Sequence, residues 1–204
     1  MIAARRQVLF GFGAIATAAA IPSVLQSEVM KRAPLVAPDA TLPAAPAVLR
    51  GAMADARKLV LHNLHTGDTF NEVYFEKGGY VPDALAEAQR VLRDWRNGEE
   101  HFMDPKLFDA LHGISQKLET SQPFQIISGY RSPKTNAMLH ERSAGVASHS
   151  QHMQGKASDI RVQGVELSNV HKAALAQRAG GVGLYPVSDF VHVDVARVRT
   201  WTGS

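Results

Sequence analysis

Two histidines and an aspartate are the residues of this chain best suited to hold a metal ion. His152 and Asp159 lie in the stretch Ser148-His149-Ser150-Gln151-His152-Met153-Gln154-Gly155-Lys156-Ala157-Ser158-Asp159-Ile160-Arg161, and His192 lies farther on in Phe190-Val191-His192-Val193-Asp194. Imidazole nitrogen and carboxylate oxygen suit Zn2+, and three protein ligands leave the fourth tetrahedral position open to water. Water held there becomes a nucleophile near neutral pH. The chemistry implied is metal-assisted hydrolysis. The chain has nine histidines, and a His/Asp pair at this spacing is also the pattern of a plain hydrogen bond.

The elements that must position these side chains are two strands and a loop. Ala157 to Val162 and Phe190 to Val195 are predicted strands rich in β-branched residues. Paired antiparallel, they bring Asp159 and His192 within reach of one ion. His152 precedes the first strand, in a loop that Gly155 lets turn back. Side chains alternate along a strand, so Asp194 shares a face with His192.

The remaining elements follow in order. Lys58–Leu64 and Thr69–Phe75 form a hairpin around His65-Thr66-Gly67-Asp68, with His62 and His65 as hairpin histidines and Lys77-Gly78-Gly79 closing it. Pro82 opens a helix that buries Leu85, Ala88, Val91, Leu92 and Trp95 and ends at Asn97-Gly98. Asp104-Pro105 caps a second helix with a stripe of Leu107, Phe108, Leu111, Ile114 and Leu118. A short strand, Phe124–Ser128, leads into the loop Gly129–Pro133 and a short helix to about Glu141. Ser168 is the expected N-cap of a helix running to about Arg178, with Val170, Ala174 and Leu175 inward. The glycine-rich Ala179–Pro186 lacks the spacing of a phosphate loop and reads as close packing beside the site.

Composition and termini bound where such chemistry takes place. The chain has 204 residues, enough for one domain with a core plus an extension. A net charge of +3 and the absence of a basic run with interleaved aromatics argue against a nucleic-acid partner. With no cysteine there is neither a disulfide nor a thiolate metal site. Residues 1–21 carry Arg5-Arg6 followed by a short apolar, small-residue run, the pattern of a twin-arginine-like export signal. Residues 22–47, with Pro22, Pro34, Pro38, Pro43 and Pro46, read as a Pro/Ala-rich linker. Residues 48–204 are the expected domain, and a membrane is expected as a partner only through the signal segment, if it is uncleaved.

The motif Ser150-x-His152-x-x-Gly155-x-Ala157-x-Asp159, the later Phe190-Val191-His192-Val193-Asp194, the upstream Ser128-Gly129-Tyr130-Arg131-Ser132 and the closing Arg197-x-x-x-Trp201 together resemble the zinc peptidase superfamily. That superfamily includes D-alanyl-D-alanine carboxypeptidases, vancomycin-resistance dipeptidases and LAS-type murein endopeptidases. The resemblance spans about residues 55–202 and is nearest to the exported murein endopeptidases of Gram-negative bacteria. It implies an α+β fold, a small antiparallel sheet with helices packed on it. It also implies His152, Asp159 and His192 as Zn2+ ligands, peptidoglycan as substrate and the periplasm as location. Arg131 matches the family arginine that faces the scissile carbonyl or a substrate carboxylate, and Ser150 belongs to the family motif as a substrate-binding candidate. Relatives carry the general base as a Glu three residues, or a His two residues, before the last ligand. Here those positions are Asp189 and Phe190, so the candidates are Asp194 and Asp189. The implied activity is hydrolysis of peptide bonds in stem peptides or cross-links. A D-Ala-D-Ala carboxypeptidase and a non-catalytic murein-binding domain stand as alternatives.

Overall fold

The structure is a computed structural model that describes residues 55–143 and 145–203. The expected export segment and linker lie outside these residues. In chain order the elements are β1 (Arg57–Asn63), β2 (Thr69–Glu76), β3 (Gly79–Tyr80), α1 (Pro82–Val91), α2 (Pro105–Lys117), β4 (Phe124–Ser128) and α3 (Pro133–Arg142). A 3-10 turn (Gln151–Gln154), β5 (Ala157–Val162), α4 (Leu167–Gln177), β6 (Gly181–Tyr185), β7 (Phe190–Asp194) and β8 (Arg199–Thr202) complete the domain. Among the described residues, no helix is long and apolar enough to cross a membrane.

The fold is α+β, but the sheet is neither small nor purely antiparallel. It has eight strands in the order β3-β2-β1-β4-β5-β7-β6-β8. The β1–β2 hairpin, β4–β5, β5–β7 and β6–β7 are antiparallel, whereas β1–β4 and β6–β8 are parallel. Both parallel pairs have a topological cause. Helices α1 and α2 carry the chain back across the sheet before β4, so β4 enters in the direction of β1. β8 follows β7 but joins the far edge of β6, and a strand reversed from β7 there must run with β6.

One core joins the sheet to its helices. Leu107, Phe108, Leu111 and Ile114 form the buried face of α2, as their spacing implies, and they share a cluster with Leu59, Leu61, Phe70, Ile126 and Ile160. Asp104 caps α2 by accepting from the Lys106 amide at 3.0 Å. Helix α1 ends at Val91, short of the expected stop. Asn63 Nδ2 donates to the Val91 carbonyl at 2.8 Å, and Asp94 is drawn into bonds from the Ser132 and Arg96 amides. Trp95 therefore lies beyond the helix and stacks on His65, ring centroids 3.8 Å apart. At α4 the N-cap is Glu166, with no side-chain cap bond, rather than Ser168, and Leu175 is 38% exposed rather than inward.

Candidate metal centre

Strand register sets the first two donors. Asp159 on β5 stands directly opposite His192 on β7. Asp159 Oδ1 lies 2.9 Å from His192 Nδ1. The third donor comes from the 3-10 turn. Ser150 caps that turn by accepting from the His152 amide at 3.3 Å. Gly155 ends the turn with φ 65°, in the left-handed region, where a Cβ would collide with the Phe102 carbonyl oxygen. The reversal brings His152 Nε2 to 3.2 Å from both Asp159 Oδ1 and His192 Nδ1. All three residues are buried, and their ligand atoms lie within 4.8 Å of one another.

Hydrogen bonds behind the cluster fix which ring nitrogens face it. His152 Nδ1–H donates to the Gly129 carbonyl at 2.7 Å, which leaves Nε2 as the donor to an ion. His192 is held the other way round. Its Nε2–H donates to Asp194 Oδ2 at 3.1 Å, which leaves Nδ1 facing Asp159. Asp194 is fully buried and saturated with donors. Arg199 meets it in a fork, Nη2 to Oδ2 at 2.6 Å and Nη1 to Oδ1 at 3.1 Å. The amides of Gly181 and Ala196 each add a bond of 2.9 Å.

The electrostatics of the cluster call for a cation. Burial, the largest influence, lowers the His152 pKa and keeps that imidazole neutral. Burial also opposes charge on His192, but Asp159 and Asp194 outweigh it and raise its pKa to about 9. Burial works against ionisation of Asp159, yet the two histidines hold its carboxyl well below the usual range. Two imidazole nitrogens and a carboxylate oxygen thus converge on one point, where one positive charge satisfies all three. The donor set and its outer hydrogen bonds fit a divalent metal of the zinc type.

The cluster forms the floor of an open cleft of about 200 Å3. Arg131 stands on one wall, with Nη2 3.7 Å from Asp159 Oδ2. It is loosely held, with contacts of 3.4 Å to Ser128 Oγ and 3.5 Å to Asn136 Oδ1, and its buried Nε has no partner among the described residues. A guanidinium with unused donors beside a metal centre is suited to an incoming oxyanion or carboxylate. Tyr185, Phe190 and Trp201 give the cleft an aromatic wall. Phe190 stacks on Tyr185 with centroids 4.5 Å apart, and Trp201 Nε1 donates to the Tyr185 hydroxyl at 2.9 Å. Ser150 lines the cleft as well.

The structure thus brings His152, Asp159, His192, Arg131 and Ser150 to one cleft. The two carboxylates considered as proton acceptors stand elsewhere. Asp194 lies behind His192, with its oxygens engaged by Arg199 and the backbone. Asp189 pairs with Arg161 and lines a separate hollow with Gln125 and Glu166. Sequence reasoning did not single out Arg199 or the aromatic wall. The one signal for either was the closing Arg197-x-x-x-Trp201 motif, because β6 and β8, which carry most of them, were not read as strands.

Three buried donors that could hold one ion stand at the base of an open cleft, an arrangement suited to metal-assisted hydrolysis. A family model described as peptidoglycan L,D-endopeptidase MepK matches residues 51–201, and the chain belongs to that family. Peptidoglycan L,D-endopeptidase MepK of Escherichia coli (strain K12) is 47% identical over 145 residues, covering 71% of this chain and 80% of the relative. The probable peptidoglycan L,D-endopeptidase MepK of Haemophilus influenzae is 41% identical over 148 residues, covering 72% of this chain and 80% of the relative.

Proposed function

We propose that the protein is a zinc-dependent endopeptidase of peptidoglycan that cuts L,D peptide bonds in stem peptides or their cross-links. It does so in the periplasm, after export through the twin-arginine-like segment of residues 1–21. The convergence of His152, Asp159 and His192 in a chain of this family is the observation that carries the reading. The bond type follows the name that the relatives carry.

His152, Asp159 and His192 would hold the ion, with His152 Nε2 and His192 Nδ1 the ring nitrogens turned toward it. Zinc, when bound, acidifies water and polarises a carbonyl. Arg131 donates its free N–H groups to the carbonyl oxygen as it gains negative charge, or to a substrate carboxylate. Ser150 Oγ accepts from the His152 amide, and its own hydroxyl proton remains available to a substrate carbonyl. Asp194 holds the His192 ring with Nδ1 forward. Burial opposes ionisation of Asp194, but hydrogen bonds from His192 and Arg199 outweigh it and hold its carboxyl well below the usual range.

The test is a digest of purified cross-linked murein with zinc-loaded and EDTA-treated protein in parallel, products resolved by mass. Conversion of cross-linked dimers to monomers in the loaded sample alone is the expected result, and the fragment masses name the bond. Release of free alanine with dimers intact would replace this reading with a carboxypeptidase. No change with folded, zinc-containing protein would make the domain a murein-binding module.

A further inference from the structure

We propose that His149 is the proton-transfer residue of this hydrolase, an inference that rests on the endopeptidase reading above. Hydrolysis of an amide at a metal centre needs a group that takes a proton from water and gives it to the leaving nitrogen. Neither Asp194 nor Asp189 stands free in the cleft to do this. The ionisable side chains lining the cleft, among the described residues, are Arg131, His149, His152, Asp159, Tyr185, His192 and Arg199. Three of these form the cluster. The two arginines offer only N–H donors and no lone pair to take a proton. The Tyr185 hydroxyl is engaged by the Trp201 indole N–H. His149 remains, and an imidazole offers one ring nitrogen that accepts and one that donates.

Its placement suits the task. His149 is exposed on the segment between α3 and the 3-10 turn, three residues before His152, and it lines the cleft. Ser148 Oγ lies 3.2 Å from His149 Nδ1. Nδ1–H donating to that hydroxyl oxygen leaves the Nε2 lone pair free. The segment is anchored. Asn136, buried on α3, donates through Nδ2 to the Ala147 carbonyl at 3.1 Å and the Ser148 carbonyl at 3.4 Å. The same Asn136 presents Oδ1 to Arg131 at 3.5 Å. One amide therefore ties the oxyanion-facing guanidinium and the backbone leading into His149 to a common frame.

The attacking water gives one proton to His149 Nε2 as its oxygen bonds to the carbonyl carbon. Arg131 donates to the carbonyl oxygen meanwhile. The C–N bond then breaks, and the imidazolium returns the proton to the departing nitrogen. One water is consumed, a carboxylic acid and an amine are formed, and His149 ends neutral. The other charged or titratable residues lining the cleft are Arg131 from the loop after β4, His152 from the 3-10 turn, Asp159 from β5, Tyr185 from β6, His192 from β7 and Arg199 from β8.

The experiment compares full-length native protein, H149N and H149A, all zinc-loaded, on a cross-linked muropeptide, with kcat and KM measured across pH 5–9. Zinc content and binding of the muropeptide to EDTA-treated protein are measured in parallel. The expected result is a fall in kcat of about 10²-fold or more in both variants. KM, zinc content and muropeptide binding change less than twofold, the acidic limb of the kcat profile is lost, and added imidazole partly restores H149A. Native protein that cleaves while H149N retains kcat and the acidic limb would overturn the role of His149 alone. A rise in KM with kcat unchanged would also overturn it, making His149 a substrate contact. Native protein that cleaves nothing would overturn the endopeptidase reading together with it.

Discussion

Asp159 and His192 face each other across the β5–β7 ladder as direct register partners, and the carboxylate Oδ1 meets the imidazole Nδ1 at 2.9 Å. Such a contact, largely buried, is stable with a proton between the two groups or with a metal ion in its place. Because His192 Nε2–H is taken by Asp194, the ring cannot turn to relieve it. On the proposed reading, metal binding here is an exchange of one cation for another.

That exchange sets a pH dependence. The His192 pKa is raised from its ordinary 6.5 to about 9, so with metal removed its contribution to stability is fully present below 6.5 and is lost as pH rises through about 9. Asp159 and Asp194 are depressed below 3.8, so their contributions are present above that value and are lost as pH falls. On the alkaline side the melting temperature of EDTA-treated protein is expected to fall between pH 6.5 and 9, whereas zinc-loaded protein resists over the same range. Calorimetric titration with zinc at pH 7 in buffers of different ionisation enthalpy is expected to register about one proton released per ion. No proton release would contradict the shared-proton cluster.

Asp194→Asn keeps the shape of the side chain and removes the charge that Arg199 and His192 both use. The amide presents donors where the guanidinium and Nε2–H already donate, so His192 loses its fixed orientation. Zinc affinity measured against a competing chelator is expected to drop about 10- to 100-fold. Unchanged affinity would mean that the Arg199–Asp194–His192 chain is packing alone.

Arg131→Ala removes the loosely held guanidinium and leaves the three ligand residues in place; its nearest ligand atom is Asp159 Oδ2, at 3.7 Å. Muropeptide cleavage is expected to fall about 10²- to 10³-fold, with zinc content and melting temperature nearly unchanged. Arg131→Lys restores only part of this, because an ammonium is a single point charge and not a fork. A large loss of zinc in either variant would recast Arg131 as a structural partner of Asp159.

Gly155→Ala tests the reversal that delivers His152. Alanine at φ 65° costs about 1–2 kcal/mol, and its Cβ would collide with the Phe102 carbonyl oxygen. Denaturant unfolding is expected to show at least that loss, with weakened zinc binding because the turn shifts. Equal stability and affinity would show that the turn tolerates another path.

The convergence of His152, Asp159 and His192 was legible in the sequence because it depends on local rules. A strand carries Asp159, another carries His192, and a glycine permits the turn after His152; each signal lies within a few residues. The α2 stripe and its Asp104 cap were legible for the same reason. What escaped depends on partners distant in the chain. Gly181–Tyr185 has too many glycines to read as a strand, yet it lies between β7 and β8, where Gly183 leaves room for the Trp201 indole. Arg199-Thr200-Trp201-Thr202 is too short to show its alternation convincingly. Without β8, nothing in the sequence places Arg199 against Asp194, so Asp194 looks like a free carboxylate beside a metal. The parallel pairings escaped because they follow from crossovers and not from any strand's own residues. Trp95 fits the α1 period, and only the Asn63–Val91 and Asp94–Ser132 bonds end the helix before it.

The most direct measurement of the central claim is metal content and murein cleavage determined on the same samples of native protein and Asp159→Ala. The expected result is one zinc per native chain with cleavage of cross-linked murein, and loss of both in the folded variant. Cleavage by a variant that holds no metal, or by native protein from which all metal has been removed, would contradict a hydrolase built on His152, Asp159 and His192.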